Sequence, residues 1–230
     1  AELVRSLEFY VLLGDSIDDQ IARYRQITGQ APLMPRYFYV FWQFYNRYKS
    51  FDEIQQVVRE YRRRELPLDA IVQDWKYWQD EADEHWNSLE LEPSRYPDPV
   101  ANIAAVHDRN VKFMMTLWPA FGTATDNWRR MKESGFLLDD IHLCDGAAEI
   151  YDAFNPDARD AYWQMVKEKM LGIGVDALWM DGTEPDCGAS GAGADAPYHE
   201  KFATCGGTAA GPVREVLNAF PLATTDGVYR

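Results

Sequence analysis

Two aspartates in this 230-residue chain stand where an apolar run gives way to a turn. In LWMDGTEPD, Leu178 to Asp186, the residues Val175, Ala177, Leu178, Trp179 and Met180 predict a buried parallel strand, and Gly182, Thr183 and Pro185 predict a turn directly after it. Asp181 therefore falls at the C-terminal end of a strand. Asp74 ends the apolar run from Leu68 in the same way and is followed by Trp75. At that edge of a (β/α) barrel, a carboxylate beside a Trp suits attack on the anomeric carbon of a sugar. The competing reading is an aspartate that only caps a turn or pairs with a cation.

The strands that must carry these acids are expected to bring further chemistry to the same rim. Tyr37 to Trp42 reads as a first strand, Leu68 to Trp75 as a second, Val111 to Trp118 as a third and Val175 to Asp181 as a fourth. Their ends deliver Trp42-Gln43, Asp74-Trp75, Trp118-Pro119 and Trp179 to Asp181. Sugars offer apolar C–H faces that stack on aromatic rings and hydroxyls that donate to carboxylates, so four Trp and two Asp suit a pocket for one sugar ring. Core packing accounts for any single Trp as well, but buried carboxylates beside them would then need partners.

Between the strands the chain reads as helical. Gly14-Asp15-Ser16 opens a helix through Ile17, Ile21 and Tyr24 to Gly29, after a short apolar strand from Leu7 to Leu13. Ser50 and Glu53 make a capping box ahead of Phe51, Ile54, Val57, Val58 and Tyr61 at helical spacing. Asp98-Pro99 starts another helix that Asn110 can close in the left-handed conformation, Asn127 to Ser134 is helical up to Gly135, and Asn155-Pro156 begins a longer one that ends near Gly172. A last helix is expected around Val213 to Ala219, ended by Pro221. Tyr77 to Pro99 is too long for a plain connection and is read as a loop with a binding role. This alternation of strand and helix, with no hairpin signal, predicts an α/β fold with a parallel sheet, as a barrel or a doubly wound sheet.

Composition narrows the partners. A net charge of −14 disfavours nucleic acid and anionic membrane surfaces, and no apolar run approaches the length of a membrane span. Cys144, Cys187 and Cys205 have no Cys-x-x-Cys spacing, and His85, His107, His142 and His199 show no ligand pairing, so no metal site and no disulfide framework is expected. Arg62, Arg63 and Arg64 lie in a helix's last turn, where they complement the dipole rather than bind phosphate. The stretch GASGAGAD, Gly188 to Asp195, lacks the Lys-Ser/Thr ending of a phosphate loop.

Several segments in order resemble glycoside hydrolase family 31, the retaining α-glucosidases and α-xylosidases: YRQITGQAPLMPRY from Tyr24, LPLDAIVQDWKYW from Leu66, KFMMTLWPAFG from Lys112, YDAFNPDARDAYW from Tyr151 and WMDGTEPD from Trp179. The resemblance implies a (β/α)8 TIM barrel of which these are strands 1–4, with residues 1–30 as the end of an N-terminal β-domain and linker helix and 31–230 as the first half of the catalytic barrel. It implies that Asp181 is the nucleophile, that Asp74 binds the non-reducing sugar in the innermost subsite, and that Trp42, Trp118 and Trp179 shape that subsite, with no cofactor. The retaining mechanism needs a second carboxyl group roughly 5–5.5 Å from the first. In the family it lies downstream in a Trp-Ser-Gly-Asp-like segment that nothing after Asp181 matches, so the chain by itself is expected to be inactive.

Trp75 and Lys76 stand where many α-glucosidases of the family have Ile and Asp. A bulky ring there would fill the space of a C6 hydroxymethyl, excluding it at a cost of roughly 1–3 kcal/mol and favouring a terminal α-linked xylose over glucose. The DWKYW and DGTEPD forms also resemble the branch of the family containing xyloglucan-active α-xylosidases, and that resemblance implies an oligosaccharide of xyloglucan type or a small glycoside as substrate, with an α-glucosidase of the same family as the alternative. Two readings compete: a carbohydrate-binding protein, which has no use for Asp181, and a barrel enzyme holding a metal on Asp74 and Asp181, which lacks a nearby His or third carboxylate.

Overall fold

The computed structural model describes residues 7–143, 146–183 and 206–229. Four parallel strands form its centre in the order β1 (Trp42–Tyr45), β2 (Ala70–Gln73), β3 (Lys112–Leu117) and β7 (Ala177–Met180). The first three are joined by helices α2 (Phe51–Arg63) and α3 (Pro99–His107), as parallel neighbours require. Register runs Tyr45 to Gln73 to Met115 to Leu178, so the four C-terminal ends reach one rim. This is the sheet of a (β/α)8 TIM barrel, strands one to four.

Local chemistry explains these helices. Ser50 caps α2 by accepting the Glu53 N–H, and Glu53 reaches back to the Lys49 N–H. Asp98 caps α3 through the Ala101 N–H with Pro99 in the first turn. Asn110 (φ +53°) and Gly135 (φ +67°) take the left-handed conformations expected after α3 and after α4 (Asp126–Glu133). On its inner face α2 buries Phe51, Ile54 and Val58 completely or nearly so, each worth about 1.5–3 kcal/mol, and Phe51 meets Phe113 of β3 at 6.1 Å between ring centroids. Ile54→Ala would cost about 2–5 kcal/mol. The core lies between these helices and the sheet face carrying Ile71, Phe113, Met115 and Leu117, all fully buried. Alternation puts Phe44, Val72, Met114 and Trp179 on the opposite face, where Phe44 and Trp179 are exposed.

Arg62 is more than a charge at the end of a helix. Its guanidinium donates to the carbonyls of Leu68, Arg109 and Asn110, tying the end of α2 to the entrances of β2 and β3. Arg63 and Arg64 pair with Glu60 at the surface.

Four expectations are corrected. The aromatic run Tyr37 to Trp42 is not the first strand: Pro35 leads into a 3-10 turn, Arg36–Tyr39, and the strand begins only at Trp42. Trp42 folds back on that turn, donating its indole N–H to the Tyr37 carbonyl and packing against Tyr37 and Phe38, so aromatic contacts override strand propensity. Leu7 to Leu13 forms no strand, because no described segment pairs with it; Phe9, Tyr10, Val11 and Leu13 are exposed ahead of α1 (Ile17–Thr28).

The four-stranded sheet is parallel throughout, but the expectation of no hairpin fails, because a second, antiparallel sheet is present. Between β3 and β7 the chain makes an antiparallel excursion, β4 (Ala120–Gly122), β5 (Leu137–Leu143) and β6 (Ala148–Tyr151), before α5 (Pro156–Lys169). Between β5 and β6, Gly146 takes a φ of +99°, the left-handed region that glycine supplies in hairpin connections. Finally, Pro221 does not end a helix but sits in the first turn of one, Phe220–Tyr229, where its missing N–H costs nothing. The three cysteines, His199 and the GASGAGAD stretch lie outside the described residues.

Candidate active site

Asp74 and Asp181 each stand one residue beyond a strand, β2 and β7, with β3 between them. Extending the register by one places Asp74 level with Thr116 and Trp179; one pair further, Asp181 is level with Trp118. Alternation directs all five to the inner face of the barrel. Asp181 is locked to β3 through its N–H, which donates to the Leu117 carbonyl at 2.9 Å.

The two carboxylates are sparsely satisfied. Among the described residues Asp74 Oδ1 accepts the Trp75 N–H at 2.7 Å, and Asp181 Oδ1 accepts the Gly182 N–H at 2.7 Å. Asp74 is buried. Burial pushes its carboxyl above the ordinary aspartate value, the charge of Asp181 adds to the shift, and the Trp75 N–H and the Arg47 guanidinium oppose it. A buried acid that feels the charge of a second acid on the same rim is an arrangement that chemistry uses and that folding alone does not favour.

Gly182 is required by that geometry. Its φ is +57°, and a Cβ there would stand 2.9 Å from Cδ1 of Trp118. The Trp118 ring thus lies against the backbone that follows Asp181. Trp118 is in turn fixed through its carbonyl, which accepts from Asn87 Nδ2 at 2.7 Å and from the Tyr162 hydroxyl at 2.9 Å, and through edge contacts with Trp78 and Trp86.

The segment from Tyr77 to Pro99 makes this support possible. It is no open loop: Tyr77, Trp78, Leu89 and Tyr96 are buried, and two short 3-10 turns, Gln79–Glu81 and Asp83–His85, fold it onto the rim. Glu81 links Arg47, which follows β1, to Arg95 near the segment's end. Trp75 is half-buried between these parts. Its indole N–H donates to Asn46 Oδ1 at 2.8 Å, its edge meets Trp86, and Lys76 and Arg47 place their charges 4.9 and 5.8 Å from its ring centroid.

Five of the six expected site residues therefore gather at the rim: Asp74, Trp75, Trp118, Trp179 and Asp181. Trp179 is the exposed one on the inner face, with Phe44 edge-on at 5.4 Å. Trp42 is corrected. It pairs with Ala70, at the N-terminal edge of the sheet, because β1 begins where it was expected to end. The same shift hid Asn46 and Arg47, which fall at the rim only once β1 ends at Tyr45. Trp86 and Asn87 were hidden differently, inside a segment whose acidic composition read as loop. Among the described residues no group of three or more His, Cys, Asp or Glu could hold a metal ion.

Over residues 31–230 the chain matches the Glycosyl hydrolases family 31 TIM-barrel domain. It is 36% identical over 228 residues to an α-xylosidase of Saccharolobus solfataricus, covering 99% of this chain and 29% of that protein. An α-glucosidase of the same organism is 26% identical over 197 residues, covering 78% of this chain and 26% of the other. The structure superposes on that of a family 31 α-xylosidase from Xanthomonas citri with a TM-score of 0.81 at 36% identity, over 94% of this chain and 23% of that one. The chain spans less than a third of the length of each.

Proposed function

This chain belongs to glycoside hydrolase family 31 and carries part of a glycosidase's barrel, and from that premise we propose that the full-length protein removes a non-reducing terminal α-linked xylose, with retention, from oligosaccharides of xyloglucan type. The observation that carries the reading is the pair of carboxylates on one inner face, Asp74 and Asp181, each with a single described hydrogen bond, with Asp74 raised in part by the charge of Asp181.

In this reading Asp181 Oδ2, the oxygen not engaged by Gly182, attacks the anomeric carbon as the glycosidic C–O bond breaks, giving a glycosyl ester. The departing oxygen takes a proton from a second carboxyl group, which then deprotonates the water that cleaves the ester. That acid/base is expected from the strands that follow these four in the barrel. Asp74 accepts hydroxyls of the sugar, and contacts that tighten in the oxocarbenium-like transition state contribute to kcat as well as to binding. Trp179, exposed on the inner face, offers a stacking surface for the ring's C–H face, and Trp118 fixes the wall behind Asp181. Trp75, beside Asp74, fills the volume of a C6 hydroxymethyl. An α-glucosidase among the relatives makes glucose the alternative sugar.

The test is Asp181→Ala in the full-length protein, assayed on an aryl α-xyloside with and without azide. Activity should vanish and return in part with azide, yielding the β-xylosyl azide, because a small anion fills the space of the lost carboxylate. Near-parental turnover without azide would assign Asp181 to structure. Trp75→Ile should raise activity on the α-glucoside relative to the α-xyloside; an unchanged ratio would leave glucose as good a candidate.

A further inference from the structure

The ring on which the xylose preference rests does not hold itself in place. The backbone of Trp75 is fixed by its N–H, which donates to Asp74 Oδ1, so the remaining freedom lies in the side-chain torsions. Four groups surround the indole: Lys76 and Arg47 near its face, Trp86 at its edge, and Asn46 at its N–H. A cation over a ring and an edge-to-face contact both tolerate sliding, whereas an N–H···O bond weakens steeply on misalignment. At 2.8 Å the bond from Trp75 Nε1 to Asn46 Oδ1 is the directional one of the four. It joins two strands, because Asn46 follows β1 and Trp75 follows β2.

We propose that Asn46 is a specificity-positioning residue: by accepting the Trp75 indole N–H it fixes the ring across the place a C6 hydroxymethyl would occupy, and so sets xylose over glucose without touching the sugar. The proposal rests on the α-xylosidase reading above. Asn46 is exposed and accepts at the tip of a strand, so removing its amide frees the indole to swing without opening the core.

The experiment uses the full-length protein and one readout, the ratio of kcat/KM on an aryl α-xyloside to that on the matching α-glucoside. Asn46→Ala should lower the ratio by about 5–10-fold, chiefly through better use of the glucoside, since a yielding wall excludes a hydroxymethyl less well than a fixed one. Asn46→Asp keeps an acceptor oxygen and should stay close to the parent ratio. Trp75→Phe removes the N–H from the other side of the bond and should also lower the ratio, which keeps the test open if Asn46→Ala folds poorly. Adding Asn46→Ala to Trp75→Phe should then change nothing further.

An equal effect of Asn46→Ala with and without the indole N–H would mean that Asn46 acts on the sugar itself and would overturn the proposal. A shift on Trp75→Ile with none on Asn46→Ala or Trp75→Phe would overturn it while leaving the α-xylosidase reading intact. No shift on Trp75→Ile would overturn both.

Discussion

Strand β7 has an aspartate at each end, Asp176 before it and Asp181 after it, and the two are treated in opposite ways. Asp176 Oδ1 accepts Lys112 Nζ at 2.7 Å, its Oδ2 accepts the Phe113 N–H at 2.9 Å, and His107 Nε2 lies 2.7 Å from the same Oδ2. Burial pushes this carboxyl up, but Lys112, the Phe113 N–H and His107 together outweigh burial and leave it below the ordinary aspartate value. At the other rim Asp74 is shifted the other way, by burial and by the charge of Asp181, and among the described residues one backbone N–H donates to each acid. An acid bonded on both of its oxygens serves the fold, and an acid left short of partners has bonding capacity for a ligand. The end of the barrel sheet decides which of these an aspartate becomes.

The sharpest way to break this contrast is to exchange the two acids of β7 for their amides in the full-length protein. Asp181→Asn should lower kcat/KM by about 10⁴-fold or more with an unchanged melting temperature, since the nucleophile is lost and no packing is. Asp176→Asn should do the reverse, costing about 1–3 kcal/mol of stability from donors left without an acceptor, with kcat per folded molecule within about 3-fold of the parent. If the two variants behaved alike in both measurements, the division of the sheet into a chemical and a structural end would be wrong.

A smaller and more diagnostic effect is expected at Asp74. Losing an acceptor for sugar hydroxyls should reduce kcat/KM roughly 10²-fold in Asp74→Asn. Stability should nevertheless rise, by on the order of 0.5–1 kcal/mol at neutral pH, because the ionised carboxylate is disfavoured where it sits. The pH dependence separates the two acids by sign. With its folded value raised, Asp74 contributes stability below the unfolded value that is lost as pH climbs through the folded one, so the advantage of Asp74→Asn should shrink on acidification. Asp176, with its folded value lowered, contributes stability above the unfolded value that is lost as pH falls through the folded one, so the deficit of Asp176→Asn should also shrink on acidification. Melting curves from neutral pH to the mildest acid that keeps the protein soluble would test both; a gap in either pair that widened towards acid would reverse the assigned direction.

How far the sequence carries this division differs from element to element. Helices α2, α3 and α5 announce themselves through Ser50, Asp98-Pro99 and Asn155-Pro156, because caps are local chemistry. Strands β2, β3 and β7 are legible as apolar runs, and with them the placement of Asp74, Trp118 and Asp181. Strand β1 is not, because its start depends on whether aromatic residues pair with a neighbouring strand or with one another, and Trp42, Tyr37 and Phe38 choose one another. That one shift moved Trp42 off the rim and concealed Asn46. The support of Trp118 by Asn87 is long-range and leaves no periodic trace, at a sequence separation of 31 residues.

The smallest expected effect tests the corrected residue. Family resemblance places Trp42 in the sugar subsite, whereas the register places it beside Ala70 and Lys112, at the end of the sheet that Asp176 holds. Its neighbours agree with that placement: Tyr37, against which it packs, donates its hydroxyl to the Asp176 carbonyl at 3.3 Å and lies under Lys112. In Trp42→Phe the lost indole N–H leaves the Tyr37 carbonyl without that donor, which should cost about 1 kcal/mol of stability. Sugar chemistry at the far rim should not feel it, and kcat/KM on the aryl α-xyloside should stay within about 2-fold of the parent while Trp75→Ile shifts sugar preference. A tenfold loss of kcat/KM in Trp42→Phe with an unaltered melting temperature would be the more interesting outcome, because it would require β1 to slide towards its C-terminal rim and would return Trp42 to the acids it was first expected to join.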